Sequence, residues 1–127
     1  MGKVIFESPS VCGDFGILYL TQNDPCNLPF LFKIYYKDMD GVQQMYNISE
    51  TDIVEFTIKQ HPQNITPVIK KRYNGIKNNV AVLSLSAADM KLLTAPEYCL
   101  SARLLYNSGN LIRILIKNLQ IFVQEVV

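Results

Sequence analysis

Two stretches of this chain alternate apolar and polar residues with a period of two. Val54, Phe56 and Ile58 share one face, with Glu55, Thr57 and Lys59 on the other. Tyr98, Leu100, Ala102 and Leu104 share one face of the stretch from Glu97 to Tyr106. Such alternation predicts strands with one buried face. Phe30, Phe32, Ile34 and Tyr36 alternate with Leu31, Lys33 and Tyr35, which predicts a third strand. Ile17-Leu18-Tyr19-Leu20 is a short apolar run. Val80-Ala81-Val82-Leu83-Ser84-Leu85 is nearly all apolar and reads as a central strand. Pro67-Val68-Ile69-Lys70-Lys71-Arg72-Tyr73 reads as an edge strand, because its proline and three cations discourage further pairing.

Turn chemistry separates these runs. Asp40-Gly41 is a hairpin dipeptide, and His61-Pro62-Gln63-Asn64 ends the strand before it. Residues 75–79 form a polar turn, and Asn107-Ser108-Gly109-Asn110 a hairpin turn. Residues 86–93 read as one short helical turn. Ser86 caps it, Asp89 completes a capping-box pattern, and Met90, Leu92 and Leu93 pin it to the core. After residue 110, Ile112, Ile114 and Ile116 fall in phase, and Leu119, Ile121 and Val123 form a last strand. The pattern is an all-β, antiparallel sandwich of about 7–9 strands. No linker, low-complexity segment or repeat interrupts it, so residues 1–127 read as one domain, with 1–14 as an extended N-terminal arm.

Composition narrows the classes. The 127 residues are 49% hydrophobic but only 18% charged, with a net charge of +1. A core is assured, and much of the surface must be neutral or apolar, which fits a protein packed against partners. The charge offers no global attraction to nucleic acid or membrane. No apolar run reaches the roughly 20 residues a bilayer span needs. Residues 1–7 are charged too soon for a signal peptide. Cys12, Cys26 and Cys99 lack CxxC spacing and read as reduced structural thiols.

Candidate chemistry is sparse. His61 is the single histidine, with no cysteine near it to share a metal. Asp38-Met39-Asp40-Gly41 opens like a calcium loop, but the twelfth position is Ser49 and Glu50 misses by one, so a β-turn is the better reading. A metal-dependent enzyme would need Asp38, Asp40, Glu50 and Asp52 to converge. Asn47-Ile48-Ser49 and Asn64-Ile65-Thr66 are sequons that matter only in a secreted eukaryotic protein. Lys70-Lys71-Arg72 beside Tyr73 is a weak phosphate footprint and reads as a solvated edge. Cys99, beside Tyr98, reads as a packing residue. Leu93-Thr94-Ala95-Pro96-Glu97-Tyr98 has the pattern of a tyrosine corner, which gives Asp89, Leu93 and Tyr98 structural roles and makes the sandwich immunoglobulin-like. No phosphate loop or nucleophile elbow is visible, and the chain reads as a non-enzyme without cofactors.

The order of these segments carries a resemblance. Phe30-Leu31-Phe32-Lys33-Ile34-Tyr35 runs into the Asp-Gly turn, followed by Thr51-Asp52-Ile53-Val54-Glu55-Phe56-Thr57-Ile58-Lys59. Val68-Ile69-Lys70-Lys71 and Val82-Leu83-Ser84-Leu85-Ser86-Ala87-Ala88-Asp89-Met90 come next. Last are the strand from Tyr98 to Leu104, the Ser108-Gly109 turn and Leu119-Gln120-Ile121-Phe122-Val123. Over residues 15–127 this resembles the N-terminal β-sandwich domain of bacteriophage baseplate upper proteins and related small tail, neck and virion structural proteins. The chain has Met90 where that family has Thr, and Pro96-Glu97 where it has Gly before the Tyr.

The resemblance implies a building block of a tailed-phage virion in the tail, baseplate, neck or capsid, made in the host bacterial cytoplasm. Its partners would be other virion proteins, in a homo-oligomer or a symmetric hetero-assembly, with no nucleic acid or membrane. Aromatic density and apolar ends make Phe6, Phe30, Phe32, Tyr35, Tyr36, Ile121 and Val123 the interface candidates. Residues 1–10 and 120–127 would then order on assembly; alternatively Val4, Phe6, Ile121 and Val123 belong to the domain's own sheet. The competing function is a carbohydrate- or ligand-binding module, against which the absence of Trp counts.

Overall fold

The period-two segments become strands that bury one face each. The computed structural model describes residues 6–7, 17–106 and 112–125. In chain order the elements are β1 (Phe6–Glu7), β2 (Ile17–Thr21), β3 (Cys26–Leu31), β4 (Tyr35–Lys37), β5 (Gln43–Met45), β6 (Ile53–Lys59), β7 (Ile69–Tyr73), β8 (Val80–Leu85), α1 (Ala87–Lys91), β9 (Glu97–Leu105) and β10 (Ile112–Gln124). One sheet has the order β2-β10-β9-β6-β7 and the other β1-β3-β8, while β4 and β5 form a separate two-stranded ribbon. The fold is an all-β sandwich with one short helix.

The two sheets meet through a single buried cluster. Val54, Phe56 and Ile58 of β6 and Leu100, Ala102 and Leu104 of β9 supply the larger sheet's inner face. Ala81, Leu83 and Leu85 of β8 and Phe30 of β3 face them. The rings of Phe30 and Phe56 bridge the layers with centroids 5.4 Å apart. Phe32 joins the same cluster, 6.3 Å from Phe56.

Several expectations need correction. The sandwich is not purely antiparallel: β1 runs parallel to β3, and β2 runs parallel to β10. Alternation encodes which face is buried; it carries nothing about a neighbour's direction. The strand expected from Phe30 onward divides in two. Phe32 and Ile34 stay buried between β3 and β4, but Tyr36 turns outward on the ribbon. β8 is not central, since among the described residues it pairs along its length only with β3. Its apolar run arises because Val82 on the outward face is exposed, opposite Pro29. Leu92 is exposed, so Met90 and Leu93 alone anchor the helical turn.

The two strands expected after residue 110 are one. β10 pairs with β9 in a register that slips between Ile114 and Ile116 and again between Ile116 and Leu119. Each slip sets one extra β10 residue against β9, as in a β-bulge. The first reverses the facing, so Ile112 and Ile114 point outward while Leu115 and Ile116 are buried. Ile121 and Val123 lie within β10, in the domain's own sheet. The hairpin turn at 107–110, Cys12, and the proposed arm apart from β1 lie outside the described residues.

Polar anchors hold the ends. Ser86 caps α1: its hydroxyl accepts from the Asp89 N–H, and the Asp89 carboxylate accepts from the Ser86 N–H. At the opposite end Asn79, buried and left-handed at φ 57°, ties three segments together. Its amide donates to the carbonyls of Phe32 and Tyr46, and its side-chain oxygen accepts from the Ile48 N–H. Between β4 and β5, Gly41 at φ 78° donates its N–H to the Asp38 carbonyl, closing the turn.

Candidate interaction site

The outward face of the five-stranded sheet is built from the polar half of each alternation. Cross-strand register sets its rows. Arg72 of β7, Glu55 of β6, Arg103 of β9 and Ile114 of β10 lie side by side. The neighbouring row holds Lys70, Thr57 and Ser101, and the next Lys59, Cys99, Gln120 and Ile17. At the far end Tyr19 and Phe122 are opposed, their rings stacked at 5.7 Å.

Glu55 is the centre of this face and is only 1% exposed. Its Oε1 accepts from Arg103 Nε at 2.7 Å, and its Oε2 from Arg72 Nε at 2.6 Å. The arginine side chains stay 41% and 55% exposed, so they roof the carboxylate from the solvent side. Burial pushes the Glu55 carboxyl up, but the hydrogen bonds and charges of Arg103 and Arg72 outweigh it and hold the group below its ordinary value. Beside this triad Ile112 and Ile114 are 56% and 53% exposed. Thr57, Ser101, both isoleucines and Lys117 line a hollow of about 310 Å³. An adjoining hollow of about 220 Å³ runs toward Lys59, Ile65 and Lys70, and both share Glu55 and Arg103.

Most of the residues named from sequence lie elsewhere. Phe30, Phe32 and Ile121 are fully buried, so they cannot meet a partner. Aromatic density marks a core as readily as an interface, and here the alternation carries those rings inward. Val123 is half-buried against the core. Tyr35 is half-buried and Tyr36 exposed on the β4–β5 ribbon, away from the triad. Phe6 pairs with Phe30 through β1. Asp89, Leu93 and Tyr98 follow one another along the chain from α1 into β9. The Tyr98 hydroxyl accepts from the Ala95 N–H at 2.8 Å while its ring is buried, and Leu93 is buried nearby. Asp89 meets Lys71 at 2.9 Å, and that hydrogen bond, followed by the Ser86 N–H, holds its carboxyl below the usual range.

Of the acidic residues weighed as a metal cluster, Asp38 and Asp52 are each engaged by their own local partners. Asp38 accepts from the Asp40 and Val42 N–H groups and from Gln44, as a turn cap does. Asp52 is buried and accepts from the Ser49 N–H and the Tyr46 hydroxyl. Burial first, and then the Asp52 carboxylate, push the Tyr46 hydroxyl up to about 12. Among the described residues no three His, Cys, Asp or Glu side chains are placed to share a metal. Cys99 donates its thiol to the Lys59 carbonyl at 3.4 Å, and burial raises its pKa, which opposes a reactive thiolate. Among the described residues no helix is long and apolar enough to cross a membrane.

Glu55, Arg103, Ile112 and Ile114 were missed by sequence reasoning. Glu55 sat among residues assigned to solvent. The signal was present as a lone acid on one strand with arginines on two others, which register can bring opposite one another. No family model matches this chain, and no curated protein matches it either.

Proposed function

We propose that this chain is a structural protein of a tailed-phage virion, acting through protein–protein contacts in a symmetric assembly, with the outer face of the five-stranded sheet as its contact surface. The observation that carries the contact role is the pair Ile112 and Ile114, each more than half exposed beside the buried Glu55 carboxylate. Aliphatic side chains exposed around an ordered polar centre are the composition of an interface core rather than of a solvated face. A carboxylate buried on the solvent side of a sheet adds little to folding, because its desolvation offsets the attraction of its partners. It does hold two arginines in fixed orientation, which serves recognition. The virion setting rests on the order of sequence segments, which resembles that of phage baseplate and tail proteins.

The test is co-assembly. Wild-type protein and the double variant Ile112→Ser/Ile114→Ser are mixed with tail, neck and capsid proteins of a tailed phage that carries this chain, and complexes are sized by light scattering. Wild-type protein is expected in a defined complex and in purified virions, and the variant is expected to be left out. A wild-type chain that remains monomeric with every such protein and is absent from virions overturns the reading.

A further inference from the structure

The contact face has a strongly one-sided charge. Lys59, Lys70, Arg72, Arg103 and Lys117 lie in or beside the two hollows, where Glu55 is the one carboxylate among the described lining residues; the face's other carboxylate, Glu97, stands at the far end opposite Phe122. Both Glu55 oxygens are already taken by arginine Nε atoms. A guanidinium carries five N–H donors, and the ion pair uses only the Nε edge of each. The Nη forks of Arg72 and Arg103 are therefore left for an incoming group, and the carboxylate beneath holds both planes in place. The two arginines flank β6, so their backbones stand about two strand spacings apart, roughly 10 Å. Each fork is thus placed to take its own carboxylate in bidentate fashion.

Resting on the reading of this sheet as a contact surface, we propose that its partner is a protein segment carrying closely spaced carboxylates beside aliphatic side chains. The acidic groups meet Arg72, Arg103 and the surrounding lysines, and the aliphatic groups fill the hollow beside Ile112 and Ile114. A second copy of the same face is disfavoured, because pairing would set one row of cations against another. Nucleic acid fits less well. The hollow beside the arginines is lined by aliphatic rather than aromatic side chains, leaving bases nothing to stack on. The chain's net charge of +1 also supplies no long-range attraction to phosphate.

The probe is a fluorescein-labelled peptide alternating Glu and Leu, with a Gln–Leu peptide and labelled oligo-dT as controls, read by fluorescence anisotropy. The Glu–Leu peptide is expected to bind, and to release as salt rises. Lys70→Glu with Lys117→Glu leaves the Glu55 triad untouched and is expected to weaken binding about tenfold by reversing two rim charges. Ile112→Ser/Ile114→Ser is expected to weaken it several-fold at unchanged melting temperature. Equal binding of the Gln–Leu peptide, tighter binding of oligo-dT, or binding indifferent to the charge reversals overturns the proposal. Those results leave the contact reading standing if the isoleucine variant still fails to co-assemble. Normal co-assembly of that variant removes the contact reading itself.

Discussion

The same strands present two contrasting faces. Inward, β6 and β9 offer Val54, Phe56, Ile58, Leu100, Ala102 and Leu104, all buried and wholly apolar. Outward, they offer Glu55 locked between Arg72 and Arg103, with Thr57 and Ser101 in the next row. One face removes hydrocarbon from water and carries folding stability. The other buries a charge that apolar packing could replace without loss of stability. The contrast teaches that burial alone does not identify a core position: Glu55 is as inaccessible as Phe56 and does different work.

The comparison is sharpest at its inner side. Phe56→Ala should destabilise the protein by about 3–5 kcal/mol in chemical denaturation, through lost transfer energy and the cavity left between the sheets. The outer side should respond asymmetrically. Replacing both arginines, Arg72→Ala with Arg103→Ala, strands a buried carboxylate. That should cost about 2 kcal/mol, less than for a fully enclosed pair because water reaches the site once the arginines are gone. Glu55→Gln leaves two solvent-facing arginines and should cost under about 1 kcal/mol. The reverse order in the same denaturation experiment would show that the attraction of the arginines outweighs the desolvation of Glu55 and that the ion pair carries folding stability.

The third expectation concerns acid. The carboxyl of Glu55 titrates below its ordinary value in the folded protein. Its stabilising contribution is therefore complete above the unfolded chain's carboxylate range, near pH 4, and is lost as pH falls through the lower folded value. Stability curves of wild type and Glu55→Gln should converge as pH falls from about 5 to 2. Asp89 and Asp38 are depressed too, but they titrate in both proteins and cancel in the difference. Parallel curves would remove the ion pair from the account of this face. The smallest effect is at the rim: Ile112→Ser/Ile114→Ser should stay within about 0.5 kcal/mol of wild type while abolishing co-assembly.

Legibility in the sequence followed periodicity. The alternations at Val54, Phe56 and Ile58, and from Tyr98 to Leu104, placed two strands and their buried faces, because a pleated strand sends successive side chains to opposite sides. Ser86, Asp89 and Tyr98 announced the corner through side chains whose bonds are local in sequence. What escaped depends on distant partners. The bulges in β10 move Ile112 and Ile114 to the opposite face from Ile116, and nothing in their even spacing shows it. The Glu55 site arises only when β7 and β9 bring Arg72 and Arg103 to one register position. The error over Phe30 and Phe32 has the same root, since an apolar stripe does not say whether its cover is the chain's own second sheet or another molecule.

The parallel ladder between β2 and β10 has a temporal consequence. Ile17 pairs with Gln120 and Thr21 with Gln124, so one of the earliest strands made is completed by one of the latest. On the ribosome, Leu18 and Leu20 must wait without their neighbour while nearly the whole intervening chain is translated. Completion of the large sheet is then late relative to the synthesis of β2, and loop closure over so long a span places this fold among the slower ones of its size.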